Sequence, residues 1–337
     1  MKLLIFTQKV DVNDPILGFF HRWIAEFSKH CENIVVICLY RGAASLPENV
    51  RVLSLGKEGG ESRLKYIARF FHYVWSERKN YDKVFVHMNQ EYILLGGLLW
   101  KMFGKEMFMW RNHHAGSFLT DIAAAFCTKV FCTSRFSFTA KYKKTVFMPV
   151  GVDIDNFKPS AENARTPQSI LSLGRISSSK NIDVLVDATG KIDSSSVIVD
   201  IYGDALPQDV GYFEKLKEKA GKNISFYKGI PNIETVKVYQ AHDIFVNLSS
   251  SGMYDKTIFE AMACGCLILA SNENLRGKIP DDFIFADRNV DELTAKLKAL
   301  LKYSAQERAE ASEKLQAFAR QHSLKSLGEK LISEIKG

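Results

Sequence analysis

Cysteine in ligand-like spacing and long apolar runs are both missing from this 337-residue chain. The six cysteines, Cys31, Cys38, Cys127, Cys132, Cys264 and Cys266, never form a C-x-x-C pair, which leaves a zinc site or a disulfide framework without support. No apolar run approaches the roughly 18 residues that a membrane-spanning helix needs. The opening MKLLIFTQKVDVND turns polar after six residues, short of the apolar core of a signal peptide. These absences set the expectation of a protein of the reducing cytoplasm, with its sequons at Asn223 and Asn247 unmodified. Basic blocks are absent too. A formal charge of +7 spread along the chain argues against a nucleic-acid partner but still favours anionic ligands or an acidic membrane surface.

What the chain does have is alternation. KLLIFT, NIVVICL, VRVLSL, KVFVHM, EMFMWR and KVFCTS read as strands of a first half. GFFHRWIAEFSKHC and LKYIARFFHYVWSERK space their apolar residues three and four apart, as helices packed on a sheet do. MPVGVDIDNFKPSAENARTPQS breaks the rhythm with three prolines and scattered polar residues, and reads as a linker. A second series follows: SILSLG, VIVDIYG, ISFYKG, DIFVNLS and LILAS, each trailed by a loop and a helix. This is the pattern of parallel α/β units, and two such sheets in one chain imply a cleft lined by the loops after their strands. The expected division is an N-terminal domain over 1–148, a linker over 149–168, a second domain over 169–318, and a helix over 319–337 able to return to the first domain.

Two loops of the second series suit anions. In LGRISSSKNIDVLVDA a strand ends at Gly174, a polar loop carries Arg175 and Lys180, and a helix begins near Asn181 or Ile182. Exposed N–H groups, the positive end of a helix and two cations make an anion cradle, although an ordinary βα loop with solvated cations has the same spacing. In SSSGMYDKTIFEAMACGC, Asp255 is placed to cap a helix that Gly265 ends. Glu260 lies within two turns of that helix start, where it can accept hydrogen bonds from sugar hydroxyls or simply complement the helix dipole.

GRISSSKNIDVLVDA, VDIYGDA, ISFYKGI, AHDIFVNLSS and FEAMACGCLILAS, in this order, resemble glycosyltransferase family 4, retaining enzymes of the GT-B fold, and PVGVDIDNFKP resembles that family's linker. The likeness spans about residues 148–300 and is looser in the first domain. It implies two Rossmann-like α/β domains with parallel sheets facing a central cleft, the first binding the acceptor. It further implies transfer, with retention, of a sugar from a UDP- or GDP-linked donor to a glycan or lipid-linked acceptor, as in bacterial surface polysaccharide or glycolipid synthesis.

Through the resemblance, Arg175 and Lys180 match the basic pair that binds the donor diphosphate, and Glu260 matches the acid that holds the ribose. Gly18 matches the glycine of the N-terminal loop near the donor, and His113, with His114 beside it, falls where members carry a histidine next to the transferred sugar. The nucleotide base is expected near Gly229 and Ile230, and Met253, Tyr254, Lys256 and Thr257 belong to the donor loop and helix start. One departure stands out: the family's second acid, eight residues before Glu260, is here Gly252, with Asp255 and Lys256 as candidate replacements. No metal or other cofactor is expected, since fixed cations and helix N-termini can stabilise a departing diphosphate. The D-x-D string of Asp153 and Asp155 belongs to the linker signature.

Outside the motifs, His87 at a strand end is a candidate acceptor contact. On RLKYIARFFHYVWSERK, Leu64, Ile67, Phe71, Val74 and Trp75 are expected to be buried, leaving a basic and aromatic remainder that suits either solvent or an anionic membrane. Two other functions share the expected fold: a sugar-nucleotide epimerase, and a nucleotide-sugar-binding protein without catalysis.

Overall fold

A computed structural model of the chain describes residues 1–14, 16–160, 165–249 and 252–337. Pro15, Ser250 and Ser251 of the two expected loops and residues 161–164 of the expected linker lie outside the described residues. The chain divides into two compact units, Met1–Gly151 with Leu324–Gly337, and Val152–Ser323.

In the first unit the elements run β1 (Lys2–Val10), α1 (Gly18–Ser28), β2 (Asn33–Arg41), β3 (Val50–Ser54), α2 (Arg63–Ser76), β4 (Lys83–His87), α3 (Glu91–Met102), β5 (Glu106–Trp110), α4 (Phe118–Phe126), β6 (Lys129–Cys132) and β7 (Thr145–Phe147). In the second they run β8 (Thr166–Leu173), α5 (Ile182–Gly190), β9 (Ile198–Tyr202), α6 (Val210–Lys219), β10 (Ile224–Tyr227), α7 (Thr235–Ala241), β11 (His242–Asn247), α8 (Lys256–Ala263), β12 (Leu267–Ala270), α9 (Val290–Leu301) and α10 (Ala305–Gln321). The last helix, α11 (Leu324–Lys336), belongs to the first unit.

Both sheets are parallel, in the orders β3-β2-β1-β4-β5-β6-β7 and β10-β9-β8-β11-β12. Each order reverses once, between β1 and β4 and between β8 and β11, and such a reversal opens a crevice at the carboxyl ends of the strands. The hydrophobic runs of β1 show why the sheets are covered on both faces. Leu3 and Ile5 enter one core with Trp23 and Leu327, while Leu4 and Phe6 enter the other with Val74 and Trp100.

Helix α11 is held in the first core by Leu327, Leu331 and Ile335, spaced to lie on one face and fully buried. It packs beside α1, and the Trp23 indole N–H of α1 donates to the Gly151 carbonyl at 3.1 Å. Gly151 has φ 78°, and a Cβ there would stand 2.3 Å from Leu327, so only glycine fits.

Two departures from the sequence expectations concern the first unit. A seventh strand, β7, and helices α3 and α4 join the expected elements. On α2 the expected buried face is wrong apart from Val74: Leu64 is 79 % exposed and Trp75 56 %, with Ile67 and Phe71 also exposed. The side that packs is Phe70 and Val74, with Tyr66 and Tyr73 partly buried, because Phe70 completes an aromatic cluster with Phe6, Tyr92 and Trp100. Two overlapping stripes at helical spacing compete on this helix, and the aromatic cluster decides between them.

Leu331→Ala removes a fully buried side chain from the α11 face, and is expected to cost about 2–5 kcal/mol in denaturant unfolding. A loss below about 1 kcal/mol would show that α11 contributes little to the core of the first unit.

Candidate functional site

In the second unit the chemistry-bearing residues gather at the β8/β11 crevice. Beyond β8 the chain makes a serine-rich turn, Ser178–Lys180, and enters α5 through Asn181, which is buried with φ 49°. The Asn181 amide donates to the Leu248 carbonyl at 3.1 Å, while its oxygen accepts from Arg288 at 2.7 and 3.0 Å, so the loops after β8 and β11 are fastened together. Gly203, after β9, lies so close to this turn that a Cβ would meet the Gly174 carbonyl oxygen at 1.9 Å.

Lys180 crosses the crevice. Its ammonium donates to Asp255 Oδ2 at 2.7 Å and to Ser249 Oγ at 2.8 Å. Asp255 is also the N-cap of α8, accepting from the Thr257 N–H, and Asn247 Nδ2 donates to the same carboxylate oxygen that Lys180 meets. Burial alone would raise the Asp255 carboxyl. The Lys180 ammonium and the hydrogen bonds from Lys180, Asn247 and Thr257 outweigh that and hold it at about 2. Arg175 is exposed and has no ion-pair partner among the described residues.

Glu260 is 4 % exposed, one turn and a half into α8. Its Oε1 accepts from Asn232 Nδ2 at 3.0 Å and its Oε2 from the Tyr239 hydroxyl at 3.2 Å. Burial and the adjacent Glu260 carboxylate push the Tyr239 phenol well above its ordinary value, so it stays a donor. Asn232 closes the loop that carries Gly229 and Ile230, which brings that loop to the same acid. Met253 and Tyr254 are both buried, with the Met253 carbonyl accepting from Asn272 Nδ2 and the Tyr254 hydroxyl donating to the Asn274 carbonyl and accepting from Lys278. Gly252 has φ 65°, a conformation that disfavours any side chain, so the missing acid coincides with a backbone ill suited to one.

The remaining candidates lie in the first unit. Gly18 opens α1 behind Asp14, whose carboxylate accepts from the Ile16 and Leu17 N–H groups and pairs with Lys9 at 2.6 Å. His87 is 2 % exposed, stacked on Phe20 at 3.8 Å and 3.3 Å from Thr7 Oγ1, which makes it a core histidine rather than an open contact. His113 and His114 are exposed and stacked on each other at 4.6 Å, and His113 Nδ1 accepts from the Ala115 N–H at 3.0 Å. The Asp153 carboxylate is taken by Asn156 Nδ2 at 2.6 Å, within the turn that begins the second unit.

Asn181, Arg288, Asn232 and Tyr239 were not legible as site residues. Only Asn181 carried a local signal, its position at a helix start; the other three are joined to the site by folding alone.

Residues 153–322 match the family model of glycosyl transferases group 1. The chain belongs to this family. A stretch of 189 residues is 26 % identical to the alpha-monoglucosyldiacylglycerol synthase of Streptococcus pneumoniae, covering 50 % of this chain and 42 % of that protein, so the match spans less than half of the relative's length. Two solved structures share the fold over almost every residue. HepE of Anabaena, in complex with UDP and glucose, superposes with a TM-score of 0.78 at 17 % identity, with 100 % of each chain covered. The sucrose-phosphate synthase of Thermosynechococcus elongatus gives 0.78 at 14 % identity over 98 % of this chain and 97 % of that one. The fold is GT-B, with two parallel-sheet α/β domains of seven and five strands.

The Asp255 carboxyl, lowered from 3.8 to about 2, contributes stability that is present above its unfolded value and lost as pH falls through the folded one. Asp255→Asn keeps a capping side chain but removes the charge, and is expected to cost about 1–3 kcal/mol near neutrality. The difference from the parent should close as pH falls from about 4 to about 2. Calorimetric melting of both proteins across that range is the check, and a gap of constant size would contradict the ion pair.

Proposed function

We propose that this protein is a retaining glycosyltransferase that moves a sugar from a nucleotide diphosphate donor, with UDP the best-supported nucleotide, to a glycan or lipid-linked acceptor. The observation that carries the reading is the meeting of Lys180, the α8 start and Glu260 at one crevice. An ammonium has three N–H donors, and Asp255 and Ser249 take two of those on Lys180. The third serves a donor phosphate, with Arg175 as the second cation and the helix starts of α5 and α8 adding their dipoles. Glu260, braced by Asn232 and Tyr239, receives the ribose hydroxyls, and the backbone at Gly229 and Ile230 receives the base. Gly18 lets the first-unit loop approach the donor, and His113 positions the sugar with His114 beside it.

In the transfer the bond from the anomeric carbon to the diphosphate oxygen breaks, the bond to the acceptor oxygen forms on the same face, and the acceptor proton passes to a donor phosphate oxygen. This route needs no nucleophilic carboxylate and no cofactor beyond the donor. HepE, solved with UDP and glucose, supports the donor class, and the streptococcal relative, a glucosyldiacylglycerol synthase by name, supports a lipid-linked acceptor.

The α2 surface supports a membrane-facing reaction. Leu64, Ile67, Phe71 and Trp75 are exposed, and Trp75 packs on Phe103 at the end of α3, where Leu98 and Met102 are 69 % and 80 % exposed. Exposed Arg63, Lys65, Lys79 and Lys101 surround these apolar side chains, and Arg78 lies over the Trp75 ring at 4.5 Å. Apolar groups at the level of the acyl boundary with cations among the headgroups is how a protein rests on an anionic bilayer. Among the described residues no helix is long and apolar enough to cross a membrane.

Two experiments check this function. UDP-sugars should raise the melting temperature, and Lys180→Ala should weaken their binding about 10–100-fold, the value of hydrogen bonds to a charged group. Binding without released UDP over a broad acceptor panel would instead favour a nucleotide-sugar-binding protein. Cosedimentation at low salt should show binding to vesicles containing phosphatidylglycerol and loss of it in a Trp75→Ser, Leu98→Ser double variant; equal sedimentation of both proteins removes the membrane contact.

A further inference from the structure

Four buried side-chain atoms in the first unit have no hydrogen-bond partner among the described residues: His30 Nε2, which lies apart beside Glu26 on α1, and Gln90 Oε1, Arg111 Nε and Thr133 Oγ1. The last three stand just past the carboxyl ends of three neighbouring strands, β4, β5 and β6. His87 pairs with Trp110 and Trp110 with Phe131 across these strands, and Gln90, Arg111 and Thr133 follow within three residues of those positions. Buried polar atoms are almost always partnered, and a cluster of exceptions at the ligand-binding edge of a parallel sheet points to a ligand.

The backbone agrees. Met88, between His87 and Gln90 and beside the β1/β4 crevice, has φ 70° and is 41 % exposed, with the Asn89 N–H donating back to the His87 carbonyl at 2.9 Å. This is a three-residue turn in a strained form that a non-glycine residue rarely adopts. The neighbouring loops are hydrogen-bonded internally: Arg111 Nη2 donates to the Ala115 carbonyl at 3.0 Å, and the Thr133 N–H donates to Asn112 Oδ1 at 3.1 Å.

We propose that Gln90, Arg111 and Thr133 form a hydroxyl-recognition subsite that holds a hexose ring of the acceptor. The assignment rests on the transferase reading for the word acceptor and on the three atoms for the chemistry. Gln90 Oε1 only accepts, Arg111 Nε–H only donates, and Thr133 Oγ1 does both. A phosphodiester or carboxylate offers acceptors alone and leaves Gln90 unmet, whereas an ammonium offers donors alone and leaves Arg111 unmet. Adjacent sugar hydroxyls satisfy all three.

Saturation-transfer NMR on the full chain, with methyl α-D-glucopyranoside, methyl α-D-galactopyranoside and inorganic phosphate as separate probes, tests the subsite. At least one hexoside should bind, phosphate should not displace it, and Gln90→Met and Thr133→Val should each weaken it about tenfold. The melting temperature of each variant should hold or rise, because the replaced atom has no partner in the free protein. The proposal is overturned if neither hexoside binds, if phosphate displaces the hexoside, if both variants bind it as well as the parent, or if both variants melt lower. Stabilisation by UDP-glucose, measured on the same samples, separates the two readings. Absence of hexoside binding to the parent with UDP-glucose stabilisation intact counts against the subsite alone, and the reverse counts against the transferase alone.

Discussion

Lys180 and Asp255, 2.7 Å apart, join the turn after β8 to the N-cap of α8 across the point where the second sheet reverses its strand order. The pair does three things at once. It fixes a long flexible cation at the carboxyl end of the sheet, it completes the N-cap of the helix that carries Glu260, and it draws Asn247 and Ser249 into one network. A lysine held in this way gives up part of its charge to its partner but loses little entropy when an anion arrives. That is the use of a prepaid arrangement: its ordering cost is met on folding rather than on binding. Stability and chemistry therefore share a carboxylate here, and the site is stiff where a donor diphosphate would need it to be.

Glu260 shows the same economy. A carboxyl group at 4 % exposure needs partners, and Asn232 and Tyr239 provide them from the loop after β10 and from α7. Those two residues orient the carboxylate as well as satisfying it. The loop bearing Gly229 and Ile230 is thereby tied to the acid, so the residues proposed to meet base, ribose and phosphate converge from β10, α8 and β8 without any one loop supplying them all.

Local pattern carried much of the second unit. SILSLG, VIVDIYG, ISFYKG, DIFVNLS and LILAS fall on β8 to β12, because the strands of a parallel sheet leave short apolar runs, and Asp255 and Gly265 bracket α8 through capping rules that act within a few residues. Where the pattern failed, the deciding contact was distant. Lys180 and Asp255 are 75 residues apart in sequence, and nothing in either loop announces the pairing. Helix α3, EYILLGGLLWKM, is apolar nearly all round with two glycines, so no stripe marks it out. On α2 the stripe of Leu64, Ile67, Phe71 and Trp75 was as regular as the one that packs, and Phe70 prevailed only because Phe6, Tyr92 and Trp100 await it. The apolar side left outside is the surface proposed above to meet a membrane.

The most direct test of the central claim is a crystal structure of the full chain soaked with UDP. The account predicts a phosphate oxygen within hydrogen-bond reach of Lys180 Nζ while the Asp255 contact persists, with the ribose hydroxyls on Glu260. UDP bound away from the β8/β11 crevice, or bound there with Lys180 and Glu260 untouched, would contradict it.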